Sequence, residues 1–280
     1  MNGTVPTLTM AAMIVTAVFT LFGPLVALVI WRKKTKAKLQ PALVGALIFI
    51  GFALILESIV HYLCLGLDTP LSKAITGNTI LYGIYGGMMA GIFEETGRLV
   101  AFAVILKKWK EKSTAVTYGI GHGGVECMLI TGLTYVSNLF YSFLINTGSL
   151  DTILQTVPES ERNQAVSTLS VLITTPANQF LAGGFERFSA ILLHIGLSIL
   201  VFYAVREKKK RYLFPIAIFI HAAVDFTAVV LSASPMSIWM LEAVIFVFGA
   251  LIFAFGVRLY RLDQIKPDQI NPEQYENLES

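Results

Sequence analysis

The sequence predicts an all-α, polytopic membrane bundle of about seven transmembrane helices plus one interfacial or re-entrant helix, with the N-terminus outside and the C-terminus inside. Three observations carry this expectation. Of 280 residues, 55% are hydrophobic and only 14% are charged, far from the roughly 25% charge of a soluble domain. Apolar runs of about 20 residues, enough at 1.5 Å rise per residue to cross the hydrocarbon, recur between clusters of charge. Finally, 17 of the 21 Lys and Arg residues fall in four clusters, Arg32–Lys38, Lys107–Lys112, Arg206–Arg211 and Arg258–Lys266. Two apolar runs separate each cluster from the next, so all four fall on one face, which the positive-inside rule makes cytoplasmic. A cytosolic enzyme, a nucleic-acid binder and a disordered linker are excluded together. Cys64 and Cys127 lie inside apolar runs and form no disulfide framework.

Taken in order, the expected spans are residues 8–31, 41–64, 78–106, 114–146, 183–205, 212–232 and 235–258. The first is not a signal sequence, because Met1–Pro6 has no Lys or Arg and WRKKTKAK (Trp31–Lys38) follows as a stop-transfer flank. The stretch 147–166 falls outside. Residues 167–182 are apolar enough to suggest another span, but counting them as one would put Arg206–Arg211 on the wrong face, so they read as interfacial or re-entrant. Residues 1–262 form a single membrane domain, and the polar tail 263–280 is expected to be disordered. No internal repeat is visible.

Ionisable side chains inside hydrocarbon mark functional sites by default, and here they share a depth. Counted from the basic clusters, Glu94 and Arg98 lie about 20 and 14 Å in, His122 and Glu126 about 12 and 18 Å, His194 about 18 Å, and His221 and Asp225 about 15 and 21 Å. Glu94 and Arg98, His122 and Glu126, and His221 and Asp225 are all four residues apart, so each helix presents its pair on one face. Glu95 points about 100° from Glu94 and lies i,i+3 to Arg98, so Arg98 can neutralise one acid and leave the other free. Glu57 and His61 read as a local polar pair towards the outer surface. Glu186 and Arg187 read as interfacial anchors, and Glu242 stands alone on the last span.

Peptide-bond hydrolysis needs a base for water, a donor for the leaving amine and groups that stabilise the oxyanion. Desolvated carboxylates and imidazoles from separate helices supply these. No GxSxG element is present, and the zinc-protease spacing HExxH is absent. A zinc site assembled across helices from His122, His194, His221 and a carboxylate stays chemically open.

These residues resemble a known group. GIFEETGRLVAF (Gly91–Phe102), YGIGHGGVE (Tyr118–Glu126) and HAAVD (His221–Asp225) resemble the three motifs of glutamic-type intramembrane proteases, the CAAX prenyl protease and bacteriocin-processing superfamily and the PrsW proteases, and in particular the YhfC family. The resemblance implies a metal-free reaction in which Glu94, with Glu95 beside it, activates water while Arg98 orients the acids. His122 matches the second-motif histidine if Tyr118 stands for phenylalanine, whereas the PrsW form of that motif points to Glu126. His221 would stabilise the oxyanion, with Asp225 where prenyl proteases carry asparagine. EExxR departs from the prenyl protease EExxxR, which speaks against prenylated substrates. His194 belongs to neither pattern and is an accessory candidate. The implied activity is cleavage of a membrane-embedded peptide or protein within the lipid bilayer, with no nucleic-acid partner. Two other classes are compatible with the same residues: a proton- or ion-coupled transporter, and a non-catalytic immunity or scaffold protein on the same fold.

Overall fold

A computed structural model describes residues 3–262; the expected polar tail lies outside the described residues. The described chain is all helical, without strands, in the order α1 (Thr7–Thr35), α2 (Gln40–Gly66), α3 (Thr79–Val100), α4 (Ser113–Asn146), α5 (Glu159–Thr174), α6 (Ala177–Arg206), α7 (Leu213–Ser232) and α8 (Ile238–Leu262), with short helical pieces in the connections. Six of these, α1, α2, α4, α6, α7 and α8, are long and apolar enough to cross a membrane. The third expected span is α3 with its continuation Ala101–Ile105. It is as long as the others, but Glu94, Glu95 and Arg98 sit within it.

Local chemistry sets the ends. Asn78 caps α3, its side-chain oxygen accepting from the Ile80 and Leu81 amides at 2.9 and 3.1 Å. α1 stops at Lys36, whose left-handed backbone (φ 60°) follows the basic run Arg32–Lys34. α5 ends at Thr175, held extended in front of Pro176, which starts α6. Residues 167–182 are therefore broken between two helices. α5 is not among the candidate spans.

The described residues of the four basic clusters meet at one end of the bundle, as their spacing predicts. Lys38 lies over the Trp109 ring, and Lys112 over that of Tyr260. Arg206 donates to the carbonyls of Leu106, Lys107 and Trp109. At the opposite end, Val5 and Asn146 exchange two hydrogen bonds, and Thr16 and Tyr135 both donate to the Phe180 carbonyl. α5 packs there, Leu172 joining Val5, Met13, Leu144 and Phe180 in an apolar cluster.

α6 is the central helix: its most apolar stretch is 72% buried, against 22–33% for the other candidate spans. Backbone contact between helices depends on glycine. A Cβ on Gly87 of α3 would stand 2.3 Å from the Ala222 carbonyl of α7, and one on Gly121 of α4 would stand 2.1 Å from that of Ala42 of α2. Small residues of this kind let membrane helices approach closely, bringing the polar faces of α3, α4, α6 and α7 together. Within the long helices, Ile50–Glu57, Ala101–Ile105 and Cys127–Gly132 widen to π-helical turns. Each such stretch adjoins or contains ionisable residues, a common setting for π turns.

Candidate functional site

Four helices deliver the buried polar groups to one place. On α3, Glu95 and Arg98 are fully buried and Glu94 nearly so. Arg98 donates to Glu95 Oε1 and lies 3.6 Å from Glu94 Oε2. Glu95 is therefore the neutralised acid of the pair, and Glu94 the one left for other partners.

Three imidazoles surround Glu94. His122 Nε2 is 2.8 Å from Glu94 Oε2, His194 Nδ1 3.8 Å from the same oxygen, and His221 Nε2 4.0 Å from Oε1. The far nitrogen of each ring has its own partner. His194 Nε2 meets Glu126 Oε2 at 2.5 Å, His221 Nδ1 meets Glu95 Oε1 at 2.7 Å, and His122 Nδ1 faces the Tyr118 hydroxyl at 3.4 Å. These partners fix tautomers. The Arg98 guanidinium, which has only donors, lies against His194 Nδ1, so Nδ1 accepts and Nε2 carries the hydrogen that Glu126 receives. Likewise Glu95 accepts from His221 Nδ1, leaving Nε2 turned to Glu94 and, at 3.7 Å, to Asp225.

Ligand atoms of Glu94, His122 and His194 lie within 4.8 Å of one another. Two features show that this set fits a divalent metal. The donors are imidazole nitrogen and carboxylate oxygen, the set zinc takes in hydrolytic sites. The carboxylate behind His194 also makes Nδ1 the lone-pair nitrogen, the support that metal-binding histidines usually have, and Nδ1 would become a ligand once Arg98, which donates to it in this structure, gives way to the metal. Charge points the same way: five connected carboxylates (Glu94, Glu95, Glu126, Glu186 and Asp225) face two guanidinium groups, Arg98 and Arg187. A further cation bound here would offset carboxylates that outnumber the guanidinium groups, in a medium where bare charge is costly.

All seven residues expected to be catalytic, together with His194, thus belong to one connected cluster. One expectation needs correction. Arg187 is not an interfacial anchor: its side chain is only 12% exposed and donates to Glu126 Oε1 at 2.6 Å, while also pairing with Glu186. It lies seven residues, two turns on one helix face, before His194, and that spacing was the available signal. Glu126, on the same helix as His122, takes its partners from α6, His194 and Arg187. Outside the cluster, Glu57 pairs with His61 at 3.1 Å as expected, although Glu57 is buried. Glu242 is buried on α8, its Oε2 without a hydrogen-bond partner among the described residues. Cys127 turns away to the Thr20 carbonyl.

The fold and the cluster define a multi-pass membrane protein with an ionisable, histidine-rich site enclosed among its helices. The family model of YhfC intramembrane metalloproteases matches residues 18–246. The membrane protein YhfC of Bacillus subtilis (strain 168) is 37% identical over 205 residues, covering 73% of this chain and 78% of the relative. No solved structure matches. The chain belongs to the YhfC family, and at that level it is an intramembrane peptidase.

Proposed function

We propose that the chain hydrolyses a peptide bond of a membrane-embedded substrate at a metal site held by Glu94, His122 and His194, with His221 as the proton-handling group. The observation that carries this reading is the convergence of those three ligand atoms from three helices, each histidine backed by a partner on its far nitrogen. A zinc ion bound there would polarise the scissile carbonyl and lower the pKa of a bound water.

The protein's own groups do the rest. Glu94 faces the ligand nitrogens of His122 and His194 with Oε2 and turns Oε1 towards His221. Glu95 holds His221 through Nδ1, so that His221 takes or returns a proton at Nε2, between Glu94 and Asp225. Arg98 neutralises Glu95 and presses against His194, keeping the α3 acids in register with α6. Arg187 orients Glu126, which orients His194. The glutamic, metal-free reaction is the second reading. It is favoured by the direct 2.8 Å pairing of Glu94 and His122, which would let Glu94 activate water with His122 alone.

The test uses purified protein in lipid nanodiscs and membrane peptides identified because they accumulate in cells lacking the chain. Wild type cleaves them, and Glu94→Gln and His122→Ala do not. A chelator stops cleavage and added zinc restores it. Cleavage that survives Glu94→Gln overturns the hydrolytic site; cleavage indifferent to chelation selects the metal-free reaction.

A further inference from the structure

Hydrolysis inside a bilayer consumes one water molecule for each bond broken, so a site enclosed by helices needs a supply of water. Towards the end of the bundle that carries the basic clusters, the site is backed by apolar side chains. Between the site and that end stand Phe102, Leu106, Tyr118 and Phe202, none more than 2% exposed. Phe102 packs on Tyr118 and Phe202 at ring-centroid distances of 4.7 and 5.5 Å, and Phe49 closes over His122 at 5.3 Å.

The other direction differs. Asp225 belongs to the cluster, yet its side chain is 37% exposed at a depth of about 21 Å from the basic end. An ionisable side chain at that depth costs free energy if it faces lipid tails and is accommodated where it meets water or polar groups. Further out stands Glu57, about 25 Å from the basic end by the same count, on α2, which packs against α3 where Ile48 and Phe52 meet Gly97. Glu57 Oε1 meets His61 Nε2 at 3.1 Å, and His61 Nδ1 meets the Tyr85 hydroxyl at 3.0 Å. His61 is about 31 Å from the basic end, and Tyr85 about 13 Å along α3 from Glu94 in the same direction. The His61 side chain is 36% exposed.

From these positions we infer that Asp225, Glu57, His61 and Tyr85 line a hydrated lane joining the site to the face of the membrane opposite the basic clusters, through which the hydrolytic water enters. The lane deepens the hydrolytic reading and rests on it only for its purpose; its existence is tested separately. Each member can both donate and accept hydrogen bonds in at least one protonation state, so a file of water can be passed along without a dry step. The buried pair Glu57 and His61, unused by the chemistry at Glu94, thereby acquires a role.

The experiment uses the full chain with Cys64→Ala and Cys127→Ala, carrying either Glu57→Cys or, as a marker of the basic end, Ser113→Cys. A charged, membrane-impermeant thiol reagent is added to sealed vesicles of each orientation. The lane predicts that Glu57→Cys reacts from the side opposite to Ser113→Cys. Reaction only from the Ser113→Cys side, or none from either, overturns it. Should Glu57→Cys not accumulate, His61→Cys is read in the same way. In the cleavage assay, Glu57→Ile, which places an apolar plug in the lane, loses cleavage but retains bound zinc, and Glu57→Gln, which keeps the lane polar, restores cleavage. Full cleavage by Glu57→Ile overturns the lane and leaves the hydrolytic reading standing. A wild type that never cleaves overturns the hydrolytic reading, and the labelling still decides the lane.

Discussion

Replacing Glu126 with Gln isolates one link of the chain that holds His194. Glu126 faces two donors, accepting from Arg187 Nη1 at 2.6 Å with Oε1 and lying 2.5 Å from His194 Nε2 with Oε2. A glutamine has one acceptor oxygen, and its amide nitrogen can only donate. Whichever neighbour the oxygen serves, the other meets a donor. If His194 keeps the oxygen, its Nε2–H tautomer survives, but the full negative charge that raises the basicity of Nδ1 as a metal ligand is gone. If Arg187 keeps it, His194 loses its orienting partner altogether. Removing a partner of this kind typically weakens metal binding by about 10- to 100-fold, or about 1.4–2.8 kcal/mol. Competition for zinc against a chromophoric chelator, with detergent-purified protein, measures this directly. Wild type should bind most tightly, Glu126→Gln about 10- to 100-fold more weakly, and His194→Ala not measurably. Equal affinity of wild type and Glu126→Gln would refute the assignment of Glu126 as the group that orients His194.

Three further outcomes are expected. Glu95→Gln keeps its metal but loses cleavage, because His221 no longer has a carboxylate at Nδ1; zinc content and turnover measured on one preparation check this, and retained turnover contradicts it. Arg98→Ala strips the fully buried Glu95 of its guanidinium partner, a loss of about 3–5 kcal/mol for a broken buried pair; the folded yield in mild detergent should collapse. Gly121→Ala puts a methyl group 2.1 Å from the Ala42 carbonyl, and the overpacking, about 1–3 kcal/mol, should lower the midpoint of thermal unfolding without changing which metal is bound.

Much of this architecture is legible in the amino-acid order because the bilayer imposes a ruler. Four basic clusters separated by paired apolar runs require three turns of chain and the segment after the last span on one face, and Lys38, Lys112 and Arg206 do meet partners at one end. Counting inward from those clusters puts Glu94, His122, His194 and His221 in one layer, and four-residue spacing gives each helix a single polar face. Rotation between helices is a different matter. Nothing local says that Glu126 turns to α6 and not to His122 beside it, because that depends on Gly119 and Gly123 letting α4 lie against Ile195 and His194. Arg187 escaped because its Cα belongs to the outer part of α6 while its long side chain reaches inward. The choice between Glu94 and Glu95 as the free acid also needed the fold, since both lie within one turn of Arg98. The π-helical turns have no signature in the sequence.

X-ray absorption at the zinc edge of the loaded, detergent-purified protein tests the central claim most directly. Ligation by His122 Nε2, His194 Nδ1 and Glu94 predicts a first shell of nitrogen and oxygen at about 2.0–2.2 Å, with the outer-shell scattering of at least two imidazoles and no sulfur, and loss of one imidazole contribution in His122→Ala. A spectrum with sulfur in the first shell, or one that His122→Ala leaves unchanged, would contradict the account.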